Sequence, residues 1–346
     1  MNNRLNNQQI LIIGAGWAGL PLAQLLTFHG ADVIATKREI PSQLEREIKA
    51  ATSTYSGSLQ LKSLSEREVF QEETQSQMES YFQDRTIIIT IPPSPFIGNK
   101  KEKWENKKPI DQEASHQTPA PTYGEMIGRI VELAEIYQAR ELLFLSSTSL
   151  YGATSGLIHE EIPPLPQTQN AKAILTAEIV IRSSKIPSTI LRLGGLIGNG
   201  RHPIFSLAGR EEIKSPYDAI NLLHIEDLLS AIATLIAQQE RKNNKNPKEI
   251  EIIDRIYNLV TPLHLERKSY YQAMAKKLDL PLPQFETPKP LLKRIIDGGK
   301  ITHETDFIYH QLDLINAPLT PLTPLTSLTS LTPKHIESIK IFSIDQ

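Results

Sequence analysis

The glycine-rich segment at residues 14–19 constrains the fold of this chain more than any other feature. It has the spacing G-x-G-x-x-G and follows a short apolar run at residues 10–13. The sequence after it predicts a helix over residues 17–29 and a second strand at residues 33–35. A strand, a glycine-rich turn, a helix and another strand within about 30 residues are typical of a dinucleotide-binding βαβ unit.

The spacing gives each glycine a physical role. Gly14 permits the tight turn, Gly16 lets a pyrophosphate approach the backbone, and Gly19 lets the helix pack closely on the sheet. Free N–H groups and the positive end of the helix dipole then attract the phosphates. We therefore expect Gly14, Gly16, Trp17, Ala18 and Gly19 to contact a cofactor. A glycine-rich turn without a ligand is the alternative.

The end of the second predicted strand bears on the choice of cofactor. An NAD-selective site normally places an acidic residue there, to bind the 2′-hydroxyl of the ribose. This chain has Thr36, Lys37 and Arg38, and its first acid, Glu39, comes only after them. Because cations suit a 2′-phosphate, NADP(H) is favoured and NAD(H) is the alternative. A solvated basic turn would explain the same residues.

Strands and helices continue to alternate along the chain. The apolar patterns predict strands at residues 86–91, 142–145, 188–193 and 256–260, and helices at residues 43–49, 123–137, 169–183, 227–239 and 267–278. Strands separated by helices indicate an α/β protein with a Rossmann-type, doubly wound parallel sheet.

Two segments fall outside this alternation. Residues 94–121 are polar, lysine-rich and interrupted by prolines, which indicates a lid, a surface insertion or a disordered loop. Residues 317–346 include repeated Leu-Thr-Pro and Leu-Thr-Ser triplets, which predict a low-complexity, extended tail.

Composition excludes several classes of function. The 37 Lys and Arg against 39 Asp and Glu give a net charge of -2, which argues against a nucleic-acid partner. The absence of cysteine excludes disulfides and thiolate chemistry, and no metal site is expected. The N-terminus lacks the apolar core of a signal peptide, and no apolar run approaches the ~20 residues of a membrane span. We expect a soluble, cytoplasmic protein that acts on a small molecule, without a membrane partner.

With these residues placed, the chain resembles the extended short-chain dehydrogenase/reductases, also called the NAD-dependent epimerase/dehydratase superfamily. The matching segments occur in the family's order: IIGAGWAGLPLAQLL within residues 11–26, FLSSTSLYG at 144–152, TAEIVI at 176–181, LRLGGLIGNGRHP at 191–203, INLLHIEDL at 220–228 and IYNLV at 256–260. The paired prolines after TIIITI and the GRHP segment resemble an atypical bacterial subgroup, the YeeZ-like proteins.

The resemblance covers roughly residues 8–300 and implies one NAD(P)-binding domain. Its small C-terminal substrate-binding lobe would come mainly from residues 195–220 and 261–300. The resemblance leaves the oligomeric state open, although the helices at residues 123–137 and 169–183 could form the four-helix contact of a homodimer that is common in the superfamily.

The resemblance implies roles for individual residues. Ser147 stands at the position of the catalytic Ser or Thr, whose hydroxyl bonds the reacting oxygen of the substrate. Ile91, Pro92 and Ser146 would lie near the cofactor. Tyr151 matches a position that either lines the substrate or is structural.

The chain departs from the resemblance at the family's Tyr-x-x-x-Lys pair. Counting back from TAEIVI, those positions hold Asn170 and Ile174, neither of which can transfer a proton near pH 7. No tyrosine of this chain has a lysine four residues later; Tyr81 with Arg85 comes nearest but precedes the strand at residues 86–91.

His202 is the first candidate for a replacement acid or base, because it follows a glycine-rich loop and histidine exchanges a proton near neutral pH. Arg201 beside it could bind a carboxylate or phosphate of the substrate, and His202 itself is also expected to contact the substrate. A stiff Gly-Arg-His-Pro turn would explain the same residues. His224 is the second candidate, with the start of a helix as its alternative role.

Two functions follow from these patterns. The first is an NADP(H)-dependent oxidoreductase or epimerase-like enzyme that acts on a small polar or sugar-like substrate. The second is a non-catalytic NADP(H)-binding sensor or scaffold. Ser147 and the GRHP segment favour the enzyme, and the missing Tyr and Lys favour the sensor.

Overall fold

A computed structural model describes residues 5–71, 75–96, 121–245, 255–287 and 293–319. These residues contain eleven strands: β1 (Gln9–Ile13), β2 (Asp32–Lys37), β3 (Ser58–Ser63), β4 (Thr86–Ile89), β5 (Glu141–Ser147), β6 (Gly156–Ile158), β7 (Ser188–Leu193), β8 (Gly195–Ile197), β9 (Leu222–His224), β10 (Arg255–Leu259) and β11 (Arg294–Ile296). Seven of them form one parallel sheet, in the order β10-β7-β5-β4-β1-β2-β3. Two short parallel pairs, β6 with β11 and β8 with β9, complete the strands of the described chain.

The described helices are α1 (Gly19–Phe28), α2 (Ser42–Ala51), α3 (Glu66–Phe70), α4 (Gln75–Phe82), α5 (Tyr123–Ile136), α6 (Gln169–Arg182), α7 (Ile204–Leu207), α8 (Ile225–Lys245), α9 (Arg267–Lys277) and α10 (Lys300–Glu304). Helices α1 and α8 cover one face of the large sheet, and α5 and α6 cover the other. Alternate residues of β1 show this directly, since Ile10 and Ile12 pack with α1 and α8, whereas Leu11 and Ile13 pack with α5 and α6. A strand covered on both sides is apolar at every position, which is why β1 has no polar alternation. The predicted doubly wound parallel sheet is confirmed.

A third group of buried side chains lies apart from the two clusters that cover the sheet. It joins β8, α7, β9 and α9, and includes Ile197, Ile204, Leu222, Tyr270 and Met274. These residues come from within or beside the two segments predicted to form the small lobe, and they give that part of the chain its own apolar core. Whether this lobe binds substrate stays a prediction.

Several boundaries differ from the sequence prediction. The strand predicted to continue to Ile91 ends at Ile89, because the Thr90 hydroxyl turns back to donate to the Gly14 carbonyl oxygen at 2.6 Å. Helix α8 is longer than predicted and begins directly after β9. The edge strand β3 was not predicted, because its sequence SLQLKS is only partly buried and has little apolar character.

Most of the polar segment at 94–121 and most of the tail at 317–346 lie outside the described residues. Of the first, Ser94–Phe96 form a single 3-10 turn. No helix in the described part of the chain is long and apolar enough to span a membrane. Within the same ranges, no cluster of three His, Asp or Glu side chains could hold a metal ion.

Candidate functional site

A cleft of about 1300 Å³ opens at the carboxyl ends of β1, β2, β4, β5 and β7. Strands β1 and β4 are neighbours in the sheet, yet the chain leaves them towards opposite edges. Ligands of open α/β sheets bind at such a topological switch point. The glycine-rich turn forms one wall of the cleft, and Ser147, Asn170, Arg201 and Arg294 line it farther along the chain.

The backbone of the glycine-rich turn is fixed by its neighbours. The Thr36 carbonyl oxygen accepts the N–H of Gly14 at 3.2 Å and that of Ala15 at 2.6 Å. Gly14 has a φ of +111°, and a Cβ there would lie 2.8 Å from the Thr90 hydroxyl oxygen. A Cβ on Gly19 would collide with the Gly14 carbonyl oxygen. The fold itself therefore requires glycine at these two positions.

Gly16 differs from the other two glycines. It is exposed, and the nearest atom to a Cβ built there is the Gly14 carbonyl oxygen, 4.0 Å away. Helix α1 begins three residues later, with no side-chain cap at Ala18 and no acidic residue in its first turn. The helix terminus therefore offers positive potential to the cleft without an internal anion to occupy it. Nothing in the described protein occupies the space above Gly16, so a ligand can approach the backbone there.

A basic group lies at the β2 end of the cleft. Lys37, Arg38 and Glu39 all line it. The Arg38 guanidinium lies 3.3 Å from the Glu66 carboxylate, and 61% of its side chain is exposed. An ion pair this exposed contributes at most about 1 kcal/mol, so a phosphate can compete for the guanidinium.

The other residues predicted to contact the cofactor also line the cleft, but two of their hydroxyls are engaged within the protein. The Thr36 hydroxyl donates to the Ile12 carbonyl oxygen at 3.3 Å, and the Ser146 hydroxyl donates to the Glu178 carboxylate at 2.5 Å. Ile91 and Pro92 line the cleft beside Gly14, and the Ile91 carbonyl oxygen accepts a hydrogen bond from the Tyr123 hydroxyl at 2.9 Å. Thr36 and Ser146 therefore shape the cleft and do not present a free hydroxyl to it.

Ser147 ends β5 on the wall of the cleft and is only partly buried. Its hydroxyl oxygen accepts the N–H of Ser149 at 3.1 Å, which starts the short 3-10 turn at Thr148–Tyr151. This contact fixes the oxygen while leaving the hydroxyl proton available to a ligand. Asn170 and Ile174 also line the cleft.

The prediction that Tyr151 lines the substrate is wrong, because its side chain is completely buried. Its hydroxyl donates to Asn258 at 2.7 Å and accepts from Arg192 at 2.9 Å. Arg192 in turn forms a two-point ion pair with Glu178, at 2.8 and 3.1 Å. Tyr151 thus belongs to a buried polar network that joins β7, β10 and α6, and its structural role is the correct one.

The structure also contradicts the assignment of His202 to catalysis and substrate binding. The imidazole is 5% exposed and points into the core of the small lobe. Its Nδ1 accepts the N–H of Ile204 at 3.0 Å, so the proton is on Nε2, which donates to the Tyr270 hydroxyl at 2.8 Å. Burial lowers the pKa of His202 to about 4. It is a neutral core histidine that closes the Gly-Arg-His-Pro turn.

His224, the second candidate, is also buried, with 1% exposure. Its Nδ1 accepts the N–H of Glu226 at 3.3 Å, and its Nε2 faces the Pro318 carbonyl oxygen at 3.0 Å. Burial lowers its pKa. Because both nitrogens bind the backbone, His224 is not available to a substrate, and its role at the start of α8 is the correct one.

The burial of His202 gives a pH dependence of stability. Its pKa of about 4 in the folded protein is below the ordinary value of 6.5, so the unfolded chain binds more protons between these values. Stability is therefore lost as the pH falls from 6.5 to 4. We expect wild type to lose about 3 kcal/mol more over this range than His202→Gln, in urea unfolding curves.

The exposed His159, which pairs with Glu161 at 2.6 Å, provides the matched control. His159→Gln is expected to follow the wild-type pH curve to within about 1 kcal/mol, because surface ion pairs contribute little. An identical pH dependence in His202→Gln and wild type would contradict the burial of a neutral His202.

Arg201 does reach the cleft, through a contact that the sequence did not reveal. Its guanidinium carbon lies 5.2 Å from the ring centre of Trp17, in the glycine-rich turn. The Trp17 indole N–H donates to the Asn199 carbonyl oxygen at 3.1 Å. These two contacts of Trp17 join the glycine-rich turn to the 199–201 loop at the wall of the cleft. The only sequence feature that pointed to this loop was the Gly-Asn-Gly run at residues 198–200, whose three residues all have positive φ.

Sequence reasoning missed further residues of the cleft, among them Thr90, Asn221 and Arg294. Thr90 fixes the glycine-rich turn. Asn221 donates to the Arg294 carbonyl oxygen at 3.1 Å and accepts the Ile296 N–H at 2.9 Å, which anchors β11. Arg294 donates to the Thr148 carbonyl oxygen at 2.9 Å. These residues are too far apart in the chain for any local pattern to join them.

Comparison with known proteins finds similarity in both sequence and fold. No protein-family model matches the chain. The protein YeeZ of Escherichia coli K12 is 28% identical over 316 residues, which cover 90% of this chain and 99% of YeeZ. The predicted YeeZ-like resemblance is confirmed. The similarity therefore extends over nearly the whole length of both chains.

Solved structures share the fold at lower sequence identity. WbmG of Bordetella bronchiseptica, in complex with NAD, superposes with a TM-score of 0.63 and 18% identity over 89% of this chain and 91% of its own. A UDP-glucuronic acid 4-epimerase from Bacillus cereus, in complex with NAD, gives 0.62 and 15% identity over 87% of this chain and 93% of its own. The chain therefore shares the Rossmann-type α/β fold of these two NAD-bound proteins.

Proposed function

We propose that the cleft binds a nicotinamide dinucleotide, with its pyrophosphate over Gly16. The open position at Gly16, beside an uncapped helix terminus, carries this proposal. A volume of about 1300 Å³ is large enough for a dinucleotide together with a small substrate. The NAD in the WbmG and Bacillus cereus epimerase structures supports the same class of cofactor.

We further propose that NADP(H) binds more tightly than NAD(H), because Lys37 and Arg38 line the end of the cleft nearest β2. Replacing both residues by alanine is expected to raise the Kd for NADPH by about 10- to 100-fold, and the Kd for NADH by less than threefold. The reason is that the lost contacts are solvent-exposed, charge-assisted hydrogen bonds to the 2′-phosphate, and the expected change corresponds to about 1.4–2.7 kcal/mol in total. Fluorescence titration with both reduced dinucleotides measures the two constants.

The matched control for this titration is Lys49→Ala with Arg46→Ala on α2, which removes two cations that do not line the cleft. That variant is expected to bind both dinucleotides as wild type does. Tighter binding of NADH than of NADPH by wild type would refute the NADP preference. Absence of binding for both would refute the cofactor site itself.

The reaction proposed for this site is that of an oxidoreductase or epimerase-like enzyme on a small polar or sugar-like substrate. The nicotinamide would supply hydride exchange when the cofactor is bound. Ser147 would then donate its hydroxyl proton in a hydrogen bond to the reacting oxygen, held in place by the Ser149 N–H. The substrate would lie between Ser147 and the 199–201 loop of the small lobe.

A non-catalytic sensor or scaffold is the second candidate, and the lining of the cleft favours it at one point. With His202 buried elsewhere, the described residues that line the cleft include no histidine and no tyrosine. Asn170 and Ile174 occupy the positions where the family resemblance implies Tyr and Lys. NADPH oxidation assays with a panel of carbonyl compounds separate the two candidates, since only an enzyme loses its turnover in Ser147→Ala. The homodimer stays a prediction.

A further inference from the structure

Arg294 extends from β11 into the wall of the cleft, opposite the glycine-rich turn. One terminal nitrogen, Nη2, donates to the Thr148 carbonyl oxygen at 2.9 Å. Its Nε is buried and has no hydrogen-bond partner within the described structure. A guanidinium group has five N–H donors, and an unsatisfied buried donor costs about 1–3 kcal/mol. The side chain therefore retains donor capacity that the protein does not use.

The charge of Arg294 is not neutralised by the protein. Within the described residues, none of the ion pairs shorter than 4 Å includes Arg294. Burial lowers its pKa, and the nearest acid, Asp218, opposes this only through its charge. A partly desolvated cation without a paired anion has a strong electrostatic preference for an anionic ligand.

The two ends of the cleft differ in the charges of the side chains that line them. The carboxylates among the described lining residues, Glu39 and Glu66, both lie at the β2 end with Lys37 and Arg38. The small-lobe end has Arg201 and Arg294 and no lining acid in the same described set. The electrostatic potential at that end of the cleft is therefore positive whichever cofactor binds, and the low-dielectric walls of the cleft strengthen this potential.

Contacts of the β11 backbone fix the position from which the Arg294 side chain extends. Asn221 holds the β11 backbone on both sides of Ile295, by donating to the Arg294 carbonyl oxygen and accepting the Ile296 N–H. β11 also pairs with β6 through three residue pairs. Because Thr148 directly follows Ser147, the hydrogen bond to Thr148 places the guanidinium beside the residue that would polarise the substrate.

We propose that Arg294 binds an anionic group of the substrate, a carboxylate or a phosphate, beside Ser147. This specifies the substrate class of the proposed enzyme, and so rests on the proposed function of the cleft. Arg201, which is exposed and lines the same cleft, adds a second positive charge to it. A neutral sugar or alcohol would leave the partly buried Arg294 charge without a counterion.

Thermal unfolding of the whole protein with acetate or inorganic phosphate tests this proposal. Ionic strength is held constant with chloride, and each titration is made with and without saturating NADP⁺. We expect at least one of the two anions to raise the Tm saturably with NADP⁺ bound, and the anion that does so identifies the source. Binding to the folded state alone raises stability in proportion to the logarithm of ligand concentration above Kd.

In Arg294→Gln, the apparent Kd for that anion is expected to rise at least tenfold. Arg294→Lys keeps the charge but loses the planar fork, and is expected to lie between Gln and wild type. The matched control is Arg85→Gln, since Arg85 is also partly buried with an unpartnered Nε but does not line the cleft. Its anion response is expected to equal that of wild type.

The outcomes separate this proposal from the cofactor proposal. A rise of the Tm with NADP⁺ alone measures binding of the cofactor. If NADP⁺ does not raise the Tm of wild type, the proposed function is refuted. The anion titration without NADP⁺ still compares Arg294→Gln with wild type in that event. If Arg294→Gln does not fold, Arg294→Lys carries the comparison. A wild type without a saturable response to either anion, or Arg294 variants with wild-type Kd, would overturn the role of Arg294.

Discussion

Replacing Gly16 by valine is expected to weaken NADPH binding by at least 100-fold while leaving the Tm of the free protein within about 2 °C of wild type. The added side chain meets no atom of the described protein closer than 4.0 Å at Cβ, and the backbone of Gly16 does not have the positive φ that strains other residues. It would instead occupy the space through which a pyrophosphate reaches the N–H groups of the turn. Loss of several charge-assisted hydrogen bonds corresponds to more than about 2.7 kcal/mol.

The two measurements for Gly16→Val are a fluorescence titration with NADPH and a thermal unfolding curve. Two other glycines give the controls. Gly19→Ala places its Cβ against the Gly14 carbonyl oxygen and is expected to lower the Tm as well as the affinity. Gly128→Val adds the same side chain to α5, where a Cβ meets nothing within 4 Å, and is expected to leave the affinity unchanged.

A large loss of Tm in Gly16→Val, or an unchanged affinity for NADPH, would contradict the proposed site. The first result would mean that Gly16 is required by the fold. The second would mean that the dinucleotide does not cross the turn at this point. The contrast between Gly16 and Gly19 thus separates a glycine needed by the ligand from one needed by the protein, although both belong to one motif.

The sheet and the cofactor side of the cleft could be predicted because their determinants are local. The continuous apolar run of β1, the glycine spacing and the cations after β2 are adjacent in the chain, and each has a physical consequence that depends on few distant contacts. The strand β3 escaped prediction because it is an edge strand, whose partly exposed side chains need not be apolar.

The substrate side could not be predicted in the same way, because side-chain direction there depends on distant residues. His202 turns inward to meet Tyr270, which is 68 residues away, and Tyr151 turns inward to meet Asn258, which is 107 residues away. Arg294 reaches Thr148 across 146 residues. A histidine or tyrosine beside a glycine-rich loop has the same local sequence whether it faces a ligand or the core, so only the fold distinguishes the two.

The side-chain directions divide the cleft into two sides. The glycine-rich turn forms the side proposed to bind the dinucleotide, and Ser147 lies on the side whose chemistry depends on the ligand. Hydrogen bonds to the Thr36 carbonyl oxygen and from the Thr90 hydroxyl hold the glycine-rich turn in place without a ligand. Ser147 is oriented by the Ser149 N–H in the same manner. A site that is organised in advance loses little entropy when it binds, which favours tight binding of a dinucleotide.

The second large effect is expected at Glu178, whose replacement by glutamine should lower the free energy of unfolding by about 3–5 kcal/mol. Glu178 and Arg192 are 2% and 3% exposed, and the carboxylate is joined to the guanidinium by two hydrogen bonds. Burial alone would lower the pKa of Arg192, but the hydrogen bonds and charge of Glu178 raise it. Removing the negative charge leaves Arg192 as a buried cation without a counterion, which costs more than the loss of a neutral hydrogen bond.

Urea unfolding of Glu178→Gln against Glu135→Gln measures this effect. Glu135 is exposed, and its carboxylate accepts from the Ser184 hydroxyl at 2.8 Å and the Lys185 N–H at 3.0 Å, so its replacement is expected to cost less than about 1 kcal/mol. Removing both partners, in Glu178→Leu with Arg192→Met, is expected to cost less than Glu178→Gln alone, because no unpaired charge remains. A double variant that is less stable than Glu178→Gln would show that the network is required for its shape and its links to Ser146 and Tyr151, and not for the balance of its charges.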